Sequence, residues 1–265
     1  MKPYKTHKVQ QMGGAPGTGA HHDLIAEEPL AIRIQGQPYA VIMRTPGDEI
    51  AHAAGFCLAE GIVDEPDDIK TLGLCDEGET NVVTVTLSSA RSRQIPELLQ
   101  RRSYISQTSC GLCGKQVIRD LQQAIAPLEN RSVLDLAGAL DCLTRLSARQ
   151  PVRQRTRAAH AAAVYDGEFR LLSAAEDVGR HNALDKAVGR LFLDRRLAQA
   201  VLLILSSRIS YELVQKSARA RLPVVMAKSR PTALAVELAS ALNMTLACKG
   251  RTGGAYVYSA PQRLK

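Results

Sequence analysis

The chain has no tryptophan, three phenylalanines and seven tyrosines among 265 residues. Basic residues are not interleaved with aromatics on which bases could stack, which argues against a single-strand nucleic-acid binder. No helix-turn-helix or zinc-finger spacing is present either, so nucleic acid is not the expected partner. Apolar runs of bilayer length are missing, and residues 1–22 lack a hydrophobic signal core, so the expectation is a cytoplasmic protein without membrane contact. Six cysteines, at 57, 75, 110, 113, 142 and 248, are too few for a disulfide scaffold in a chain this long. The run Gly13-Gly14-Ala15-Pro16-Gly17-Thr18-Gly19 is not followed by the Lys-Ser/Thr of a phosphate loop, and no strand is expected before it.

Present instead is an excess of positive charge, formally +8, which implies an acidic partner, whether nucleic acid, a phosphate-bearing cofactor or an acidic protein, and composition alone does not choose among them. Two cysteines stand close together, in Ser109-Cys110-Gly111-Leu112-Cys113-Gly114-Lys115. A C-x-x-C pair supports a reversible disulfide, half a zinc site, or a nucleophilic thiolate with a second sulfur in reach, and the spacing alone does not choose. Val117, Ile118, Leu121, Ile125 and Leu128 recur at steps of three and four, which predicts a helix from near Gly114 to Pro127. Both sulfurs would then lie at a helix N-terminus, whose partial positive charge lowers a thiol's pKa. Cys57 and Cys142 fall on apolar helix faces and read as small core residues.

Taken in order, residues 1–22 read as a disordered arm, 23–105 as a small α+β domain and 106–265 as an α/β domain. In the first domain Leu30 to Ile34 and Tyr39 to Met43 predict a hairpin, and Val82 to Leu87 a further strand. Thr45-Pro46-Gly47-Asp48 predicts a helix start with Thr45 as N-cap, and Gly61 its end. Ser132 to Asp135 resembles a capping box. In the second domain His160–Tyr165 and 169–174 predict a hairpin closed by Asp166-Gly167. Strands at 201–205, 223–227 and 244–248 then alternate with helices, which argues for a largely parallel sheet covered on both faces. Loops leaving the carboxyl ends of such strands form the ligand crevice. Those loops carry Arg180, His181, Ser207, Arg208, Lys228, Ser229, Arg230, Lys249, Gly250 and Arg251, a donor set suited to phosphate or pyrophosphate. His181 reads either as a proton-moving group or as a structural hydrogen-bonder beside Asp177 and Asp185.

Several segments together resemble the formate dehydrogenase accessory sulfurtransferases, the FdhD family. They are Glu27-Glu28-Pro29-Leu30, Met43 to Asp48, Gly55-Phe56 with Glu60-Gly61, the S-C-G-L-C-G loop, Glu176 to Lys186 (E-D-V-G-R-H-N-A-L-D-K) and Pro231 to Leu238, within residues 24–259. The resemblance implies a cytidine-deaminase-like three-layer α/β/α domain with a smaller N-terminal α+β domain. It implies sulfur received as a persulfide from a cysteine desulfurase and passed to the molybdenum bis(guanine dinucleotide) cofactor as cargo, with formate dehydrogenase as client and a homodimer as the assembly. The persulfide cysteine corresponds to Cys110, with Cys113 its companion. The cofactor-binding segment corresponds to Lys249, Gly250, Arg251, Thr252, Gly253 and Gly254. No catalytic metal is implied. The alternatives are a non-catalytic basic module that delivers a nucleotide cofactor or binds RNA, a disulfide oxidoreductase, and a zinc deaminase. The last lacks His-x-Glu before Pro-Cys-x-x-Cys.

Overall fold

The computed structural model describes residues 2–12, 19–75, 81–96, 99, 125–129 and 132–265. Within the stretch expected to be a disordered arm, β1 (Tyr4–Gln10) and β2 (Gly19–Ile25) pair antiparallel, from Tyr4 opposite Ile25 to Gln10 opposite Gly19. That expectation is corrected. Polar contacts hold the hairpin where apolar burial does not: the Arg155 guanidinium lies 4.3 Å from the Tyr4 ring centroid and also pairs with Asp23. A hydrophobic pattern cannot register such contacts.

Next come β3 (Glu28–Ile34), β4 (Gln37–Arg44), α1 (Glu49–Ala59), β5 (Ile69–Leu74), β6 (Val82–Leu87) and the short α2 (Ser89–Gln94). The four strands form one sheet in the order β4-β3-β6-β5, with β3 and β6 parallel and both outer pairs antiparallel. Strand β5 has no counterpart in the sequence reading: its pattern is half-buried and its apolar residues do not alternate cleanly. The start of α1 also differs. Asp48 is the N-cap, with φ of 61° and no side-chain cap bond, whereas Thr45 lies buried three residues earlier with tertiary partners. Gly61, at φ 75°, follows the helix end as expected.

The rest of the chain gives α3 (Leu136–Arg145), α4 (Pro151–Thr156), β7 (His160–Tyr165), β8 (Leu171–Asp177), α5 (Arg180–Leu193), β9 (Leu202–Leu205), α6 (Tyr211–Arg219), β10 (Val224–Ala227), α7 (Ala233–Ala241), β11 (Thr245–Lys249) and β12 (Ala255–Ser259). Asp135, not Ser132, caps α3, its carboxylate accepting from the Gly138 N–H at 2.7 Å. The sheet order is β12-β11-β10-β9-β7-β8. Only β9, β10 and β11 are mutually parallel; β12 adds an antiparallel edge on one side, and β7 and β8 on the other. The β7–β8 connection is longer than two residues, because Asp166 folds it: its carboxylate accepts from the N–H groups of Glu168 and Arg170, each at 2.9 Å.

Side chains of the central strands alternate between two cores. Leu203, Leu205, Val225, Ala227 and Leu246 join the cluster that contains α1, α5, α6 and α7. Leu202, Ile204, Val224, Met226 and Ala247 join Ala139, Cys142 and Leu143 of α3 on the other face. The first cluster continues without a break through Ala53, Ala54 and Cys57 of α1 to Leu30, Ile32, Val83 and Val85 of the four-stranded sheet. Helices α1 and α5 meet almost backbone to backbone. A Cβ on Gly55 would stand 2.0 Å from the Asp185 carbonyl oxygen, and one on Gly189 1.8 Å from that of Ala51.

Candidate functional site

Strand register brings the loops that carry the predicted donors to one edge. Leu205 of β9 is level with Ala227 of β10, Ala227 with Cys248 of β11, and Leu205 with Ala162 of antiparallel β7. Two residues further along lie Ser207, Ser229, Gly250 and His160, and Asp177 of β8 pairs with His160. The loops after β8, β9, β10 and β11 therefore open along one edge. Helices α5, α6 and α7 begin at the same edge, so their free N–H groups and the positive ends of their dipoles gather there.

Of the predicted donors, Arg208, Lys228, Lys249 and Arg251 to Gly254 are exposed, while Arg180, His181 and Ser229 are half-buried. Among the described residues, no carboxylate pairs with Arg180, Arg208, Lys228, Arg230, Lys249 or Arg251, whereas Arg44, Arg91, Arg190 and Arg219 elsewhere are each ion-paired. The loop after β11 is a tight one: the Gly250 N–H donates to the Gly254 carbonyl at 2.9 Å, and a Cβ on Gly250 would lie 2.4 Å from the Gly253 oxygen. Ser207 is buried, and its hydroxyl donates to the Arg208 carbonyl, so it braces the loop. Cys110 and Cys113 lie outside the described residues, as do Arg101, Arg102, Lys115 and all of the helix predicted there up to residue 124. A cavity of about 720 Å³ bounded by Pro127, Leu128, Asn243 and Arg263 opens at the opposite edge and contains none of these donors.

Beneath the edge is a buried polar hub that the sequence reading does not contain. Asp177, fully buried, pairs with Lys186 at 2.7 Å and accepts from the N–H groups of Thr45 (3.0 Å) and Gly179 (2.8 Å) and from Asn182 (2.9 Å). Lys186 also donates to the Thr45 carbonyl at 2.6 Å, and the Thr45 hydroxyl accepts from the Val178 N–H. Residues before α1 thereby fix the turn that leads into α5. Glu176, next to Asp177, stands apart from the hub. Its carboxylate accepts from the N–H groups of Val152 and Arg153 at the start of α4, and burial pushes its carboxyl up.

His181 meets neither of its expected partners. Its Nε2 lies 2.9 Å from Glu212 and 3.4 Å from the Ser210 hydroxyl, both at the start of α6. Asp185, one turn below, pairs with Lys216 at 2.8 Å. Burial pulls the Lys216 ammonium down, but Asp185 and Glu60 more than offset this and hold it charged. Burial, then Arg180 and Arg153, lower His160. Cys57 and Cys142 are buried core thiols, and burial raises both. Cys248 is also buried, with its sulfur 3.4 Å from the Tyr258 hydroxyl. Among the described residues no group of three His, Cys, Asp or Glu is arranged to hold a metal ion, and no helix is long and apolar enough to cross a membrane.

The fold is similar to the crystal structure of a Desulfotalea psychrophila protein assigned as a formate dehydrogenase accessory protein. The TM-score is 0.76 at 23% identity, and the match covers 99% of this chain and 98% of that one. In sequence the chain is 39% identical to the sulfur carrier protein FdhD of Streptomyces coelicolor over 91% of its length and 88% of the relative's. It is 37% identical to the protein of the same name from Xanthomonas campestris, over 97% of this chain and 90% of the relative. The profile of the FdhD/NarQ family matches residues 25–265, which span the four-stranded sheet, the polar hub and the whole basic edge. The chain belongs to the FdhD/NarQ family.

Proposed function

We propose that this protein is a sulfur carrier in formate dehydrogenase maturation. It takes persulfide sulfur from a cysteine desulfurase onto Cys110 and passes it to the molybdenum bis(guanine dinucleotide) cofactor. The observation that carries the reading is family membership, with relatives named sulfur carrier protein FdhD matching nearly the whole chain. In the first transfer the Cys110 thiolate attacks the outer sulfur of the donor persulfide, and the donor cysteine leaves as a thiolate with no net oxidation. Attack by Cys113 on the inner sulfur expels the outer one as hydrosulfide and leaves a Cys110–Cys113 disulfide, which a small-molecule thiol reopens.

The cargo carries two pyrophosphates, and the basic edge suits them. Lys249, Gly250, Arg251, Thr252, Gly253 and Gly254, with Arg180, His181, Ser207, Arg208, Lys228 and Ser229, supply backbone donors and cations, and among the described residues Arg180, Arg208, Lys228, Lys249 and Arg251 pair with no carboxylate. The cytidine-deaminase-like layering of residues 106–265, a smaller unit at 23–105, a homodimeric assembly and a cytoplasmic location belong to the same reading and rest on the resemblance.

Intact-mass analysis after incubation with a cysteine desulfurase and free cysteine tests it. One added sulfur, removed by a thiol reductant and mapped to the peptide containing Cys110, is the expected result. If Cys110→Ala takes up sulfur as readily, or still supports full maturation of formate dehydrogenase, the carrier assignment fails and a non-catalytic binding module stands in its place.

A further inference from the structure

The hairpin β1–β2 lies almost wholly outside the residues that the family profile matches, and the basic edge makes no use of it. Three of the six histidines are in it, His7 on β1 and His21 and His22 on β2. Along the sequence the evident pair is His21 with His22, which are adjacent. Neighbours on a strand point to opposite faces, so those two rings do not converge on one ion. The register makes a different pair, because His7 stands directly opposite His22. Opposed residues of an antiparallel ribbon share a face, with Cβ atoms about 4.5–5.5 Å apart. His21 faces the other way, opposite Lys8.

The two faces of the ribbon have different neighbours. Tyr4, Thr6 and Asp23 share one face, and the Arg155 guanidinium of α4 closes on it through the Tyr4 ring and the Asp23 carboxylate. The opposite face carries Lys5 with Leu24, His7 with His22, and Val9 with Ala20. His7 and His22 are exposed, and neither ring has a hydrogen-bond or ion-pair partner among the described residues. Both rings are therefore free to turn a nitrogen toward a shared point. Lys5, next along this face, is drawn to Glu28, 3.7 Å away.

We propose that His7 and His22 form a chelating site for a borderline divalent cation, zinc or nickel, which clips β1 to β2. Imidazole nitrogen suits these ions and is the commonest metal ligand in proteins. Among the described residues no group of three His, Cys, Asp or Glu is arranged around a metal, so water completes the coordination and the site is open and exchangeable. Its effect falls on the hairpin itself. A two-stranded ribbon is marginally stable at best in water, and this one is tied to the body near its base, through Arg155 and the Pro3 carbonyl, which accepts from the Ala26 N–H. An ion held by both strands binds only the paired ribbon and stabilises it by mass action. It also fixes the register, because a slip of one residue carries one ring to the other face and breaks the chelate.

The test uses the full chain, with accessible thiols blocked by N-ethylmaleimide so that cysteine sulfur does not compete for metal, and nickel chloride as the probe. Calorimetric titration should show a single ion taken up per chain. Removing one imidazole turns a chelate into a lone ligand, so His7→Ala and His22→Ala should each weaken binding by about a hundredfold. His21→Ala should bind like the wild type. Amide hydrogen exchange across 4–10 and 19–25 should slow with nickel in the wild type and in His21→Ala, and not in the other two variants. All three positions are exposed, so the substitutions leave the fold in place. A loss in His21→Ala equal to that in His22→Ala would mark the adjacent pair as the ligands and overturn the proposal. Unchanged affinity in His7→Ala overturns it too, as does a wild type that takes up no nickel or takes it up with no slowing of exchange in the hairpin.

Discussion

Replacing Asp177 with alanine removes the acceptor for four donors, three of them on the buried residues Thr45, Asn182 and Lys186. Lys186, 1% exposed, would keep only the Thr45 carbonyl, and the N–H groups of Thr45 and Gly179 and the Asn182 amide would each lose a partner. Breaking a buried ion pair from one side costs about 3–5 kcal/mol, because the remaining charge is left uncompensated. That is a large part of the roughly 5–15 kcal/mol available to a folded protein. With a urea m-value of about 3 kcal/mol per molar, the unfolding midpoint should fall by about 1–1.7 M. A double-mutant cycle tells a charge effect from simple loss of packing. In Asp177→Ala with Lys186→Met no buried ammonium remains, so the double variant should be less destabilised than the sum of the singles by about 1–3 kcal/mol. Additivity within about 0.5 kcal/mol would show that the two side chains do not depend on each other, and the account of the hub would be wrong.

Alanine for glycine inside a helix normally stabilises by up to about 1 kcal/mol, but Gly55→Ala and Gly189→Ala should each destabilise by about 1–3 kcal/mol or more, since the new methyl meets a facing backbone. Equal or higher thermal stability in both variants would contradict the close helix contact. Burial pushes the Asp64 carboxyl up, but the hydrogen bonds and charges of Arg219 and Arg91 more than reverse this, so it lies below its ordinary value. Its folded pKa is depressed, so its contribution is present above the unfolded carboxylate range and disappears as pH falls through the lowered value. Urea midpoints measured on the acid side should therefore drop less steeply for Asp64→Asn than for the wild type, and parallel curves would count against the bridge.

The strand and helix alternation from residue 201 to 241 is legible because β9 and β10 are continuous apolar runs buried on both faces, and each following helix has its own start signal. Thr232, whose hydroxyl accepts from the Ala235 N–H, is one such signal. The basic loops can be assigned to one edge for the same reason. What escapes a reading of the sequence depends on partners far away along the chain. Thr45-Pro46-Gly47-Asp48 has the spelling of a helix cap, but the backbone of Thr45 is tied to Asp177, 132 residues on, and its hydroxyl to Val178. His181 has aspartates on its own segment as apparent partners, and its carboxylate comes instead from Glu212, 31 residues downstream on another helix. The hairpin at β1 and β2 has too little apolar character to announce itself and is identifiable only from Tyr4, Arg155 and Asp23 in space.

The missing side chains at positions 55 and 189 also bear on the far end of α5. Asp185, whose carbonyl almost touches Gly55, is one turn from His181 and carries the pair to Lys216. The height of the His181 ring above the sheet edge is thereby gauged by α1, which acts as a shim beneath it. A single methyl group added at either glycine would be felt at that ring, although it touches neither His181 nor Glu212.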